Sequence, residues 1–299
     1  MLVAVAHLGL GRFVAARFSA PDRRPAERTP GEVGLDHCKV SFESTDGVPL
    51  AAWWVPPADG GSSRAVVLVH GRGSNKSAGY VIETAEIYAR AGYGVLMLDL
   101  RASGDFGDNI RTLGYKETRD GNEALAWLKD EGFEPGGVVL HGWSVGGVTV
   151  VRSAPETGVA AVIEEAGYAD LPLMVRGRLT ENDILPPLIQ PGAFLAAKLF
   201  LGFDPWAIRS GEDAARLREE GTPLFVIHST TDEVVPYLHA DLFTRAYPEA
   251  ELWRLEGYGH GGAYTHPEYE ERLLNFLEGA GLTADLPRGL RQPNVPAKQ

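Results

Sequence analysis

Val138-Val139-Leu140-His141-Gly142-Trp143-Ser144-Val145-Gly146-Gly147, introduced by Gly136-Gly137, decides how the rest of this chain is read. A short apolar strand runs into a Gly-x-Ser-x-Gly turn and leaves as an apolar helix from Val148 to Ala154. Gly142 and Gly146 flank Ser144 at the two places where a side chain would block a sharp strand-to-helix turn. Such a turn holds the serine hydroxyl clear of the sheet and aims a helix N-terminus at whatever it attacks. The pentad alone is weak, since a chain this rich in glycine produces it by chance roughly 0.2 times. Its setting between strand and helix is what raises it, and the absence of a lysine after the glycines argues against a phosphate loop.

Bulk properties narrow the class. The chain has 299 residues, 44% hydrophobic and 23% charged, enough for one large α/β domain with a small insertion. A formal charge of -12 excludes nucleic acid as an expected partner, because phosphate contacts need clustered Lys and Arg. One cysteine, Cys38, excludes an intramolecular disulfide and a Cys-based zinc site, so no metal is expected. Such cysteine usage is consistent with cytoplasm. Residues 1–30 read as an apolar helix and a linker. Met1 to Leu10 is apolar, but His7, Arg12 and Arg17 stop it short of the ~20 residues that cross a bilayer. Its positive charges follow the apolar run, the reverse of a signal peptide. It reads as a helix packed on the domain or its lid, or as a peripheral membrane contact through residues 1–20. Pro21 to Pro30 has linker composition, and residues 286–299 form a Pro- and Arg-rich tail.

Between them, residues 31–285 alternate strands and helices. Lys39 to Phe42 and Leu50 to Trp54 bracket an Asp46-Gly47 hairpin turn. Ala65 to Val69, Gly94 to Leu98, Val138 to Leu140, Val159 to Ile163, Leu224 to Ile227 and Leu252 to Leu255 supply further strands. Helices are expected from Ser77 to Arg90 and from Glu117 to Lys129. A last helix follows a Thr265-x-x-Glu268 capping box, with Tyr269, Leu273, Phe276 and Leu277 on its apolar stripe. An opening hairpin and βαβ alternation predict a mainly parallel sheet with helices on both faces. Functional residues then belong in the loops after the strand carboxyl ends. The Pro-rich interval of about 168–221 breaks the alternation and reads as a helical cap. Its Leu185, Leu188, Ile189, Phe194, Leu195, Leu199, Phe200 and Trp206 can line an acyl pocket or simply pack the cap. Arg72, Arg176 and Arg178 are candidates for an acidic substrate group.

A serine hydroxyl needs a base, and the base needs an acid to orient it. His260 lies in the glycine-rich loop Gly257-Tyr258-Gly259-His260-Gly261-Gly262, and Asp232 lies on the loop after Leu224 to Ile227. Rivals for the acid are Glu233, Asp170 and Glu165; rivals for the base are His228, His239 and His266, of which the first two read as structural and the last as a surface residue. The strand Val66 to Val69 runs into His70-Gly71-Arg72-Gly73. There the Arg72 N–H can pair with that of Val145 to hold a tetrahedral oxyanion, with His70 tying down the loop. The order Ser144, Asp232, His260 is that of α/β-hydrolases rather than of chymotrypsin or subtilisin.

On these residues the chain resembles the α/β-hydrolase superfamily from roughly Val40 to Leu277. Within it, the chain is similar to the bacterial esterase/acyl-peptidase group related to the prolyl oligopeptidase catalytic domain. The matching stretches are Val69 to Lys76, Leu98 to Gly104, Gly142 to Gly147, Asp232 to Pro236 and Gly259-His260. The resemblance implies an α/β-hydrolase fold and carboxylic ester hydrolysis of a small-molecule substrate through an acyl-enzyme, without cofactor. A peptidase or amidase is the alternative, and a non-catalytic binding protein a more distant one. Ser229-Thr230, Ala102-Ser103 and Glu164-Glu165-Ala166-Gly167 depart from the usual pattern, at the rims of the site.

Overall fold

The computed structural model describes residues 2–58, 62–105, 110–181 and 189–283. Eight strands form one sheet: β1 (Cys38–Glu43), β2 (Pro49–Val55), β3 (Ala65–Val69), β4 (Gly94–Leu98), β5 (Val138–Trp143), β6 (Ala161–Glu165), β7 (Leu224–Ser229) and β8 (Glu251–Leu255). Their order is β1-β2-β4-β3-β5-β6-β7-β8, antiparallel at β1/β2 and β2/β4 and parallel from β4 to β8. This is the mainly parallel, doubly covered sheet that the alternation of strand and helix predicts.

The central strands are uninterrupted apolar runs because both their faces are buried. Alternate residues go to opposite cores. Val67, Val69, Leu96 and Leu98 pack on one face with α3 (Glu117–Asp130), α4 (Val145–Ser153), α7 (Ser210–Glu220) and α8 (Leu238–Ala246). Val66, Leu68, Val95 and Met97 pack on the other with α2 (Gly79–Arg90) and α9 (Tyr269–Gly279). At the edge, β8 alternates instead, burying Trp253 and Leu255 while Leu252 and Arg254 face outward.

Several local readings are corrected. β6 begins and ends two residues later than Val159 to Ile163, so Glu164 and Glu165, expected at the rim of the site, are buried strand residues. Thr265 belongs to a short 3-10 turn and its hydroxyl donates to the Gly262 carbonyl. The expected capping box is therefore absent, and α9 starts only at Tyr269. Its apolar stripe is nevertheless buried as the spacing requires. The Pro21 to Pro30 stretch, read as a linker, lies outside the core and runs along the surface as a strap. Asp22 N–H donates to the Ala102 carbonyl, and Asn75 Nδ2 donates to the Arg24 carbonyl.

The N-terminal helix α1 (Leu2–Ser19) lies on α6 (Ile189–Ala196). Two glycines permit the approach: a Cβ on Gly11 would stand 2.4 Å from the Gly192 backbone, and one on Gly192 would stand 2.7 Å from the His7 ring. Ala15, Ala196, Ala197 and Phe203 seal this contact. None of the described helices is long and apolar enough to cross a membrane. In the stretch read as a cap, α5 (Leu171–Glu181), α6 and a π turn (Ala197–Leu201) lead to α7, which packs against α4 and α8 on the flank of the sheet. Leu185, Leu188 and residues 286–299 lie outside the described residues.

Candidate active site

The turn at Ser144 is as sharp as its glycines require. Ser144 adopts φ 55° and ψ -117°, a region that costs a non-glycine residue of order 1–3 kcal/mol. Two close approaches hold it there. A Cβ on Gly142 would stand 2.2 Å from the Gly146 carbonyl oxygen, and one on Gly146 would stand 2.1 Å from that of Val69. The Ser144 N–H donates to the Glu165 carbonyl across the end of β6 at 2.7 Å. Ser144 is half-buried while its neighbours from Val138 to Val150 are all buried, so the turn presents this one side chain.

Asp232 follows β7 and His260 follows β8, on the same carboxyl edge of the sheet. Asp232 Oδ2 lies 2.7 Å from His260 Nδ1, while Oδ1 accepts the N–H groups of Val234 and Val235 at 2.7 and 2.8 Å. Burial opposes ionisation of Asp232, but the His260 bond and the two backbone donors outweigh it and hold the carboxyl below its ordinary value. A carboxylate at Nδ1 fixes the proton there and leaves Nε2 as the acceptor. No hydrogen bond joins Ser144 to His260 among the described residues; in ligand-free sites such contacts are often long and tighten only with substrate.

The rivals are placed elsewhere. Glu233 is exposed. Asp170 accepts the Leu173 N–H and pairs with Arg209, which makes it a helix cap. Glu165 accepts the Tyr269 hydroxyl. His228 donates from Nε2 to the Val235 carbonyl, with Asp232 Oδ2 3.5 Å away, and burial lowers its basicity. His239 is pushed down to about 4 by burial. His266, expected at the surface, is half-buried against the rings of Trp253 and Tyr258.

Arg72 and Val145 line one small cavity with His70, Gly71 and Leu100. The loop beneath is rigid for a chain of reasons. Leu100 N–H donates to His70 Nε2, so the proton sits on Nδ1, which donates to the Gly71 carbonyl at 2.8 Å. Burial keeps this ring neutral. Gly71 N–H donates to the Tyr80 hydroxyl, and a Cβ on Gly71 would stand 3.3 Å from the Ser144 Cβ. Behind the loop, buried Lys76 donates from its backbone and from Nζ to Asp99, at 2.7 and 2.5 Å.

Residues to which the sequence reading gave no role cluster behind the turn. Glu164 is fully buried, accepts the Gly167 N–H and is pushed by burial up to about 8. His141 stacks on Trp143 and bonds the Tyr88 hydroxyl. Two acidic residues in sequence read as rim residues because carboxylates are seldom fully buried. The signal for them was the parallel neighbour: β5 reaches Trp143, and β6 must extend to Glu165 to pair with it. Of the arginine candidates, Arg176 is exposed, and Arg72 places its guanidinium 5.2 Å from the Phe18 ring. Arg178 falls among the side chains outside the described residues.

Comparison with known proteins agrees with this architecture. Residues 66–272 match the family described as "Alpha/beta hydrolase family". The uncharacterized protein YfhR of Escherichia coli O157:H7 is 24% identical over 252 residues, covering 81% of this chain and 80% of YfhR. The esterase Pf2001 of Pyrococcus furiosus superposes with a TM-score of 0.70 at 24% identity, over 87% of this chain and 98% of that one. A puromycin-hydrolyzing peptidase of Mycobacterium tuberculosis superposes with 0.64 at 21% identity, over 83% of this chain and 40% of that one. At such identities these solved structures share the fold. The chain belongs to the α/β-hydrolase family.

Proposed function

We propose that the protein is a serine carboxylesterase working through Ser144, His260 and Asp232. The observation that carries this reading is the 2.7 Å Asp232–His260 contact on the loops after β7 and β8, on the same carboxyl edge of the sheet as the strained serine turn after β5. In this mechanism His260 Nε2 takes the Ser144 proton as the oxygen attacks an ester carbonyl. The N–H groups of Arg72 and Val145 hold the oxyanion, each typically worth about 3 kcal/mol of transition-state stabilisation. His260 then hands its proton to the leaving alcohol, and the acyl group stays on Ser144. Water, deprotonated by His260, releases the acid. Asp232 holds the imidazole tautomer and stabilises its cation throughout.

The test is direct. Ser144→Ala should abolish turnover of p-nitrophenyl esters and labelling by a fluorophosphonate. Full-stoichiometry labelling of that variant would overturn the assignment. Absence of labelling in the unaltered protein, with a ligand-induced shift in Tm, would point to a binding protein on the same fold. The same groups serve amide hydrolysis, and the likeness to a puromycin-hydrolyzing peptidase supports assaying acyl-peptide substrates beside short esters.

A further inference from the structure

The N-terminal helix does more than cover the domain. Between α1 and the stretch read as a cap lies a small, partly open apolar chamber of about 80 Å³. Val14, Ala15 and Phe18 of α1 form one wall, Ala193 and Phe194 of α6 the facing one, and Leu113 lies at the boundary with the oxyanion cavity. Among the described residues no charged one lines it; its polar members are Ser19 and Gln190, whose amide nitrogen donates to the Pro172 carbonyl. The chamber therefore suits an alkyl chain and disfavours a charged group, which would lose its hydration without a partner.

Its neighbour, the small cavity lined by Arg72 and Val145, points to which half of an ester it takes. Leu113 lines both the chamber and the small cavity that holds Arg72 and Val145. Leu113 is fixed in place: its carbonyl accepts the Tyr168 hydroxyl at 2.8 Å, and its backbone stands at φ 56°. Phe18, on the opposite wall, carries the Arg72 guanidinium 5.2 Å from its ring. The chamber thus opens beside the oxyanion loop. The leaving alcohol must instead sit at His260 Nε2 to be protonated, and among the described residues none from the His260 or Asp232 loops lines the chamber.

Resting on the serine-esterase reading, we infer that this chamber holds the acyl chain of the substrate, and that Val14 and Ala15 of the N-terminal helix set how long that chain is. Four of the cap residues that composition offered for this role, Leu195, Leu199, Phe200 and Trp206, are exposed instead. Helix α1 supplies the wall in their place, brought close by the Gly11–Gly192 crossing. The natural substrates are then esters of uncharged aliphatic acids.

The experiment uses the full chain and p-nitrophenyl esters from acetyl to octanoyl, so that the alcohol is constant. For the unaltered protein kcat/KM should rise about fourfold per added methylene until the chamber is full. Val14→Phe, narrowing it from α1, and Ala193→Phe, narrowing it from α6, should each lower the octanoyl-to-acetyl ratio at least tenfold. A parallel series of acetate esters with lengthening alcohols should show no such dependence on the two variants. A flat acyl series in the unaltered protein, which needs no folded variant, overturns the inference. So does an unchanged ratio in both variants, or a length dependence confined to the alcohol series. Failure of the underlying reading looks different: fluorophosphonate would then not label Ser144 at all.

Discussion

Asp232 Oδ2 stands 2.7 Å from His260 Nδ1, and the opposite oxygen of the same carboxylate is held by the N–H groups of Val234 and Val235. The acid is thus clamped from behind by its own turn and presents a single oxygen to the ring. Replacing it by an amide removes the charge and lets a donor face Nδ1, which favours the wrong tautomer. Asp232→Asn should lower kcat for p-nitrophenyl acetate at pH 7 by about 10⁴, by analogy with other triads. Circular dichroism should stay unchanged, and a kcat within tenfold of the parent would refute the pairing.

Glu164 gives a pH dependence with a definite sign. Its folded value is pushed up to about 8 by burial, well above the 4.5 of a free glutamate. The unfolded chain therefore releases this proton first, and the native state loses stability as pH rises from about 4.5 through about 8. The slope is at most about 1.4 kcal/mol per pH unit. Glu164→Gln keeps the shape and an acceptor for the Gly167 N–H but cannot ionise. Its stability advantage over the parent should grow between pH 5.5 and 8.5 in urea unfolding. Equal advantages at the two pH values would show that Glu164 ionises as freely folded as unfolded.

Gly146 and Gly136 make a matched pair. A Cβ on Gly146 meets the Val69 carbonyl oxygen at 2.1 Å, and that oxygen belongs to the sheet. A Cβ on Gly136 meets nothing within 4 Å. Gly146→Ala should destabilise by about 3 kcal/mol and slow fluorophosphonate labelling, because α4 must move off β3. Gly136→Ala should leave both nearly unchanged. Comparable losses in Tm for the two variants would remove the packing argument.

Arg101 is fully buried and divides its donors between Asp120, also buried, and Asp46. Burial already pushes Asp120 up to about 6 with the arginine in place. Arg101→Met strands that carboxylate and should cost about 3–5 kcal/mol. Arg101→Met combined with Asp120→Leu should recover a large part of the loss in denaturant titration. A double variant no better than the single one would mean that Arg101 is held for Asp46 and Ser44 instead.

The turn at Ser144 and the two-sided strands were legible because each is a local pattern. Gly142 and Gly146 mark where backbone approaches backbone, and the runs Ala65 to Val69 and Gly94 to Leu98 mark strands with no solvent face. The end of β6 was not legible, since Glu164 and Glu165 look like surface residues until β5 and β7 cover them. The Thr265 capping box failed for a similar reason. Its letters are right, but the turn returning from His260 spends Thr265 in a 3-10 turn before α9 begins.

By itself the sequence determined the class of fold and a short list of chemically able residues, because hydrophobic period and glycine placement act over a few neighbouring residues. Tertiary structure alone decided which acid faces which histidine. Asp232, Glu165 and Asp170 all lie at or just past the carboxyl ends of strands, and only packing brings Asp232 to His260 while spending the others on Tyr269 and on the Leu173 N–H. It also decided that an N-terminal helix some 130 residues before Ser144 walls the chamber beside the oxyanion loop. No local pattern encodes that contact: it depends on two glycines, Gly11 and Gly192, meeting across the whole length of the fold.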